Sequence, residues 1–191
     1  MESIYSNVML DAKGLACPMP IVRTRKVMKE MEAGQVLEVQ ATDKGSKADL
    51  QAWAESTGQQ YLGTVEDGDV LKHFLRKASD EEKGTPSYPH IADNAQLEQK
   101  LQSDESIVVL DVREPAEYAF RHIPNAVSIP LGDIENCLGE LNKQAEIYVI
   151  CRTGTRSDMA AQKLAANGFE RVLNVVPGMS SWSGPTANMN E

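Results

Sequence analysis

The sequence predicts an α/β protein built as two units: a two-layer α+β unit in residues 1–78 and a doubly wound α/β unit with a parallel sheet in residues 90–191. Three observations carry that prediction. Residues 1–78 follow a β-α-β-α-β-β order, which suits two helices packed on one face of a four-stranded sheet. Residues 90–191 alternate short, continuous apolar runs with stretches of helical periodicity, the pattern of parallel strands buried on both faces. Between them, residues 79–89 hold two prolines, a glycine and a short acidic run with no apolar period, which is the composition of a linker. A chain of 191 residues fits one large domain or two small ones, and this stretch favours two.

The elements follow in order. Residues 8–10 read as a short strand. From Pro18 the period becomes helical, with Ile21, Thr24, Val27, Met28 and Met31 on one stripe, and Gly34 stops the helix. Residues 36–41 form a strand, and residues 46–57 a second helix closed by Gly58. Two strands at 60–65 and 70–75 are joined through Asp67-Gly68, a hairpin dipeptide. In the second unit, apolar runs at 107–110, 127–129, 147–150 and 172–176 read as strands. Helical stretches at 96–101, 115–120, 134–141 and 156–167 alternate with them. In such a fold, sites gather beyond the carboxyl ends of the strands.

Charge and composition narrow the function. The chain carries 19 basic and 28 acidic residues, a net charge of −9, which disfavours broad nucleic-acid binding. The imbalance is uneven: residues 1–78 hold 10 basic against 11 acidic residues, and residues 79–191 hold 9 against 17. No apolar run approaches the ~18 residues of a membrane span, and the amino terminus lacks a signal-peptide layout. The expectation is a cytoplasmic protein with reduced thiols. Three widely spaced cysteines, Cys17, Cys137 and Cys151, form neither a disulfide framework nor a metal motif, and His73, His90 and His122 add no metal spacing.

Two cysteines stand at helix starts. Cys17 precedes Pro18, at the position favoured to open a helix, with Pro20 stiffening the same turn. Unpaired backbone N–H groups there should favour thiolate and lower the thiol pKa. Cys151 ends a buried run and opens a loop through Arg152, Thr153, Gly154, Thr155 and Arg156 into a helix. Backbone N–H groups of such a loop cradle an anionic sulfur. Arg152 and Arg156 could grip an oxyanion such as thiosulfate by forked hydrogen bonds. A cysteine phosphatase would need its arginine at position 157, which is Ser157, so the loop is too tight for phosphate yet suits a persulfide. Cys137 lies at a helix position where a small apolar residue would serve, and reads as packing. Arg23, Arg25, Lys26 and Lys29 follow Cys17 on one helix and read as a solvated face or a docking surface for an acidic partner.

The second half resembles a single-domain rhodanese across nearly all of residues 88–191. The matching segments run from Val109 to Tyr118, from His122 to Ala126, from Cys151 to Ser157, and through Pro177, Gly178 and Met179 to Trp182. Arg121 and Asn125 stand where the family usually has glycines around the histidine, a departure that touches the fold motif and not the catalytic loop. The resemblance implies that Cys151 takes the sulfane sulfur, that 152–156 cradle the persulfide, and that Asp111 is structural while Arg113 lines the pocket. The first half resembles the TusA-like (SirA-like) sulfur carriers over roughly residues 5–77, through Leu10 to Pro20 and Ala41-Thr42-Asp43. That likeness implies that Cys17 accepts and passes sulfur as a persulfide, with Asp11, Gly14 and Asp43 shaping the turn.

The combined expectation is a rhodanese-type sulfurtransferase fused to its own carrier, moving sulfur between Cys151 and Cys17. Thiosulfate, polysulfide or a low-molecular-weight persulfide is the expected donor, and a thiol or a downstream sulfur-accepting protein the acceptor. The chemistry needs no metal or organic cofactor, and no nucleic-acid or membrane partner is expected. Direction, transfer within one chain or across a homodimer, and the final acceptor stay open. The alternative is a non-enzymatic persulfide sensor or carrier that serves a partner protein.

Overall fold

The structure is a computed structural model that describes residues 3–103 and 106–189. The chain divides into two compact units, Met1–Glu81 and Glu82–Glu191.

In the first unit, β1 (Val8–Asp11), α1 (Met19–Glu30), β2 (Val36–Ala41), α2 (Ser46–Thr57), β3 (Gln60–Asp67) and β4 (Val70–Arg76) give the expected order. The sheet runs β1-β2-β4-β3, with β1 parallel to β2 and the remaining pairs antiparallel. Alternation along β2 sends Leu37 and Val39 toward a core that also holds Met28 and Met31 from α1 and just beyond it, and Leu50 and Ala54 from α2. Both helices therefore cover one face of the sheet. The hairpin turns through Gly68 and Asp69, since Asp67 already pairs with Val70 and Gly68 supplies the positive φ of 59°. Pro18 is the N-cap of α1 and Pro20 its second residue, so the helix opens one position later than its first proline suggests.

The second unit is a five-stranded parallel sheet, β5-β9-β8-β6-β7. Its strands are β5 (Ile91–Asp93), β6 (Ile107–Asp111), β7 (Val127–Ser128), β8 (Glu146–Ile150) and β9 (Val172–Val176). Its helices are α3 (Asn94–Gln102), α4 (Pro115–Phe120), α5 (Ile134–Cys137) and α6 (Thr155–Ala166). One core cluster centres on Leu110, Ile147, Val149 and Leu164, and a second on Val109, Tyr148, Ile150 and Val175. Neighbouring residues of β6 and β8 fall in different clusters, so these strands are buried on both faces.

Three elements differ from expectation. β5 escapes the sequence pattern because it has only three residues, two of them exposed. Its last residue, Asp93, forms a capping box with Gln96, which starts α3 earlier than the apolar period does. The helix expected over 134–141 is a single α-turn flanked by 3-10 turns at Leu131–Asp133 and Leu138–Glu140. Within residues 79–89, a 3-10 turn spans Asp80–Lys83. The backbone N–H groups of Ser87 and Tyr88 both donate to Asp158 Oδ1, at 2.8 and 2.6 Å, and Tyr88 is buried in the second unit's core.

Candidate active site

Cys151 follows the last residue of β8, at the carboxyl edge of the parallel sheet, and is 1% exposed. Two backbone bonds fix its main chain: Met179 N–H donates to the Cys151 carbonyl at 2.8 Å and Ser180 N–H to that of Arg152 at 2.9 Å. The turn that supplies them leaves no space at Gly178, where a Cβ would lie 2.5 Å from the Cys151 carbonyl oxygen and φ is +81°. Only glycine meets both demands.

The thiol side is equally ordered. Gly154, at φ +104°, is the N-cap of α6, and its N–H donates to Cys151 Sγ at 3.1 Å. The Ser157 hydroxyl, one turn into α6, donates to the same sulfur at 3.3 Å. Asn174 Nδ2 donates to the Gly154 carbonyl at 3.1 Å and holds the loop from β9. Negative charge that develops on this sulfur meets two donors and the positive end of a twelve-residue helix.

The three arginines differ. Arg152 and Thr153 are exposed at the loop. Arg156, expected to grip the donor, is buried and gives Nη1 and Nη2 to the two oxygens of Glu117 at 2.6 and 3.0 Å, with Glu82 3.7 Å from its Nε. Its forked face is occupied, so it does not serve as a donor-gripping group. Burial works against its charge, and Glu117 outweighs that and raises its pKa above the ordinary arginine value. Arg113, expected to line the pocket, instead closes on Asp111 through Nε at 2.9 Å and Nη2 at 2.6 Å, and on the Arg121 carbonyl at 2.7 Å. It pins the loop after β6 and is not offered to a substrate.

In the first unit, Cys17 is exposed in the turn before α1. Gly14 N–H donates to Thr42 Oγ1 at 2.9 Å, and Ala12 N–H to the Gln40 carbonyl at 2.8 Å, so the loop that leads to Cys17 is tied to the end of β2. There the Asp43 carboxylate accepts from Gly45 N–H at 3.1 Å. The position of a Cβ on Gly45 lies 3.6 Å from Asp43 Oδ1 and 3.9 Å from Asp49 Oδ2, so two carboxylates converge on this turn. The nearby Asp49 carboxylate first, then some desolvation and the charge of Asp43, hold the Cys17 thiol above the ordinary cysteine value. The direction is the opposite of the lowering expected from the helix start, because two carboxylates disfavour the thiolate.

Cys137 is half-buried and packs against the core. Burial first, then Glu140 and Asp133, pushes its thiol pKa up, which suits a packing role. The site residues that sequence reasoning missed are Ser157, Glu117, Asn174 and Asp49. Glu117 lies 39 positions from Arg156, and no local spacing signals such a pair. In the sequence Ser157 stands out only by the absence of a phosphatase arginine.

Comparison with known proteins matches each of the two units to a family. The family described as "Sulfurtransferase TusA" matches residues 8–77, and that described as "Rhodanese-like domain" matches residues 93–185. "Sulfur carrier protein TusA" of Allochromatium vinosum is 49% identical over 70 residues, covering 37% of this chain and 91% of that one. "Putative sulfurtransferase YtwF" of Bacillus subtilis (strain 168) is 42% identical over 96 residues, covering 50% of this chain and 92% of that one. "Putative sulfur carrier protein YrkF" of the same organism is 55% identical over 182 residues, covering 95% of this chain and 98% of that one. With that identity over nearly the whole of both chains, this chain belongs to the same family of sulfur-transfer proteins, a TusA domain followed by a rhodanese-like domain.

Proposed function

We propose that the chain moves sulfane sulfur as a cysteine persulfide between Cys151 and Cys17. The observation that carries this reading is the Cys151 sulfur, which receives a backbone N–H and a hydroxyl at the head of α6. With thiosulfate as donor, Cys151 thiolate attacks the outer sulfur, the S–S bond breaks, and sulfite leaves with the bonding pair. Polysulfide or a small persulfide reacts in the same way with a different leaving group. Exposed Arg152 is the cation left to meet an anionic donor. Gly154 N–H and Ser157 stabilise the charge on the new persulfide.

In the second step Cys17 loses its proton to solvent and attacks the outer sulfur of the Cys151 persulfide. A Cys17 persulfide forms and Cys151 leaves as thiolate. The reverse sequence uses the same bonds. The three free cysteines suit a reducing compartment such as the cytoplasm. Residues 79–89 join the domains, held in part by the 3-10 turn over Asp80–Lys83 and by the bonds of Ser87 and Tyr88 to Asp158, and a covalent join of this kind gives local thiol concentrations in the millimolar range. Transfer across a homodimer uses the same chemistry.

The test is mass spectrometry of each cysteine after limited thiosulfate or polysulfide, on wild type, Cys151→Ser and Cys17→Ser. The expected result is loading of both cysteines in wild type and of Cys151 alone in Cys17→Ser. Full thiosulfate:cyanide turnover by Cys151→Ser would sink the mechanism.

A further inference from the structure

The described residues of the second unit include two buried side-chain polar atoms without a hydrogen-bond partner, Asn94 Oδ1 and Asn174 Oδ1. An orphaned amide oxygen costs more than a neutral hydrogen bond contributes, and an apolar side chain of similar shape would avoid that cost. Each of these amides instead gives its nitrogen to a glycine. Asn174, on β9 and 0% exposed, donates Nδ2 to the Gly154 carbonyl at 3.1 Å. Asn94, the first residue of α3, donates Nδ2 to the Gly178 carbonyl at 3.0 Å. Both amides stand this way round because the reverse would set an amide oxygen against a carbonyl oxygen.

Those two glycines bracket Cys151. Gly154 N–H donates to its Sγ, and the turn at Gly178 brings Met179 N–H to its carbonyl. Both have positive φ, +104° and +81°, and a glycine backbone is free to leave such a conformation unless something outside holds it. Alternate residues of β9 meet Gly154: Asn174 bonds its carbonyl, and Val176 Cγ2 lies 3.0 Å from where a Cβ would stand. The Gly154 carbonyl also accepts from Asp158 N–H at 3.1 Å, so loss of the amide would not orphan it.

We propose that Asn174 and Asn94 are positioning residues for Cys151, retained against stability: Asn174 fixes the Gly154 peptide so that its N–H stays on the sulfur, and Asn94 fixes the Gly178 turn that binds the Cys151 carbonyl. This rests on Cys151 being the residue that takes sulfur. For the fold alone an apolar residue at 174 would do better, since it removes the orphan oxygen and leaves the Gly154 carbonyl bonded.

The experiment compares Asn174→Leu, the smaller Asn174→Val and Asn94→Ala with wild type in the full chain. Amide hydrogen exchange, followed by nuclear magnetic resonance on isotope-labelled protein, reports Gly154 and Met179 directly. Single-turnover sulfite release over a range of thiosulfate concentrations separates the maximal rate from half-saturation. Urea unfolding followed through Trp182 in a Trp53→Phe background reports the second unit. The Asn174 variants should speed exchange at Gly154 and lower the maximal rate about tenfold, the worth of one charge-assisted bond. Half-saturation should hold, since Arg152 is untouched, and the urea midpoint should be no lower than wild type. Asn94→Ala should speed exchange at Met179 and lower the same maximal rate. Wild-type exchange at Gly154, or a maximal rate within twofold of wild type, in a folded Asn174 variant overturns the proposal. So does a urea midpoint that falls with the rate, the mark of a role in the fold alone, or failure of both Asn174 variants to fold. Wild type that releases no sulfite would count against thiosulfate loading of Cys151, and exchange at Gly154 and Met179 would then decide the role of the two asparagines.

Discussion

Arg156 donates to both carboxylate oxygens of Glu117 at 2.6 and 3.0 Å, and both side chains are almost wholly buried. The pair joins the second residue of α6 to α4, so it clamps the helix whose head holds the Cys151 sulfur. Removing one partner leaves an uncompensated buried charge. Glu117→Ala should therefore destabilise the second unit by about 3–5 kcal/mol, read as a lower urea midpoint. An unchanged midpoint would show that the pair is not what holds α6.

Arg152 should behave in the opposite way. It is exposed, and the structure gives its side chain no buried role. Arg152→Ala is expected to raise KM for thiosulfate, with the urea midpoint within about 0.5 kcal/mol of wild type. A KM that stays put would remove Arg152 from donor binding.

How far the sequence shows this site depends on separation along the chain. Cys151, Gly154 and the head of α6 were legible because strand, loop and helix are consecutive and each has its own local period. Cys17 was legible for the same reason. The roles of Arg113 and Arg156 were not, because Asp111 sits two residues from Arg113 and reads as a motif, whereas Glu117 approaches Arg156 from another helix. The same limit hides Asp49, which lies on α2 and holds the Cys17 thiol above its ordinary value, opposite to the direction expected from the start of α1. Helix-start arguments treat one helix at a time, while a pKa sums every charge in reach. β5 was lost for a different reason: three residues are too few to show alternation.

Gly178 should tolerate no side chain. An added Cβ would meet the Cys151 carbonyl oxygen at 2.5 Å and would sit on a backbone with φ +81°. Gly178→Ala should lower both stability and the rate of Cys151 persulfide formation. Gly132→Ala is the control, since nothing lies within 4 Å of a Cβ there and its effect should stay within about 0.5 kcal/mol. Equal behaviour of the two variants would refute the steric argument.

The Ser157 hydroxyl reaches Cys151 Sγ at 3.3 Å and is one of the two donors given to that sulfur. Ser157→Ala should slow persulfide formation by about tenfold, the equivalent of one charge-assisted hydrogen bond of roughly 1.4 kcal/mol. Stopped-flow release of sulfite measures it. A rate within twofold of wild type would leave the backbone N–H of Gly154 as the stabilising donor.

Asp49→Asn tests the electrostatics of the carrier thiol. The carboxylate holds the Cys17 pKa up, so replacing it with a neutral amide should move the alkylation midpoint to lower pH and speed alkylation at neutral pH. The direction is the informative part: a helix-start effect alone predicts no such change. An unchanged midpoint would mean that Asp49 does not act on the sulfur.

His73 should make the first unit acid-sensitive. Its folded pKa is held to about 4, below the 6.5 of an ordinary histidine, chiefly by burial. The unfolded chain thus binds a proton over this range that the folded chain refuses. The stability that His73 contributes is complete above about 6.5 and is lost as pH falls from there toward 4, and the difference is worth roughly 3 kcal/mol. Urea melts followed through Trp53 in a Trp182→Phe background isolate the first unit. His73→Gln, which cannot take up that proton, should lose less stability than wild type over the same fall in pH, because the carboxylates titrate equally in both. Parallel losses in the two proteins would show that the buried ring is not the group responsible.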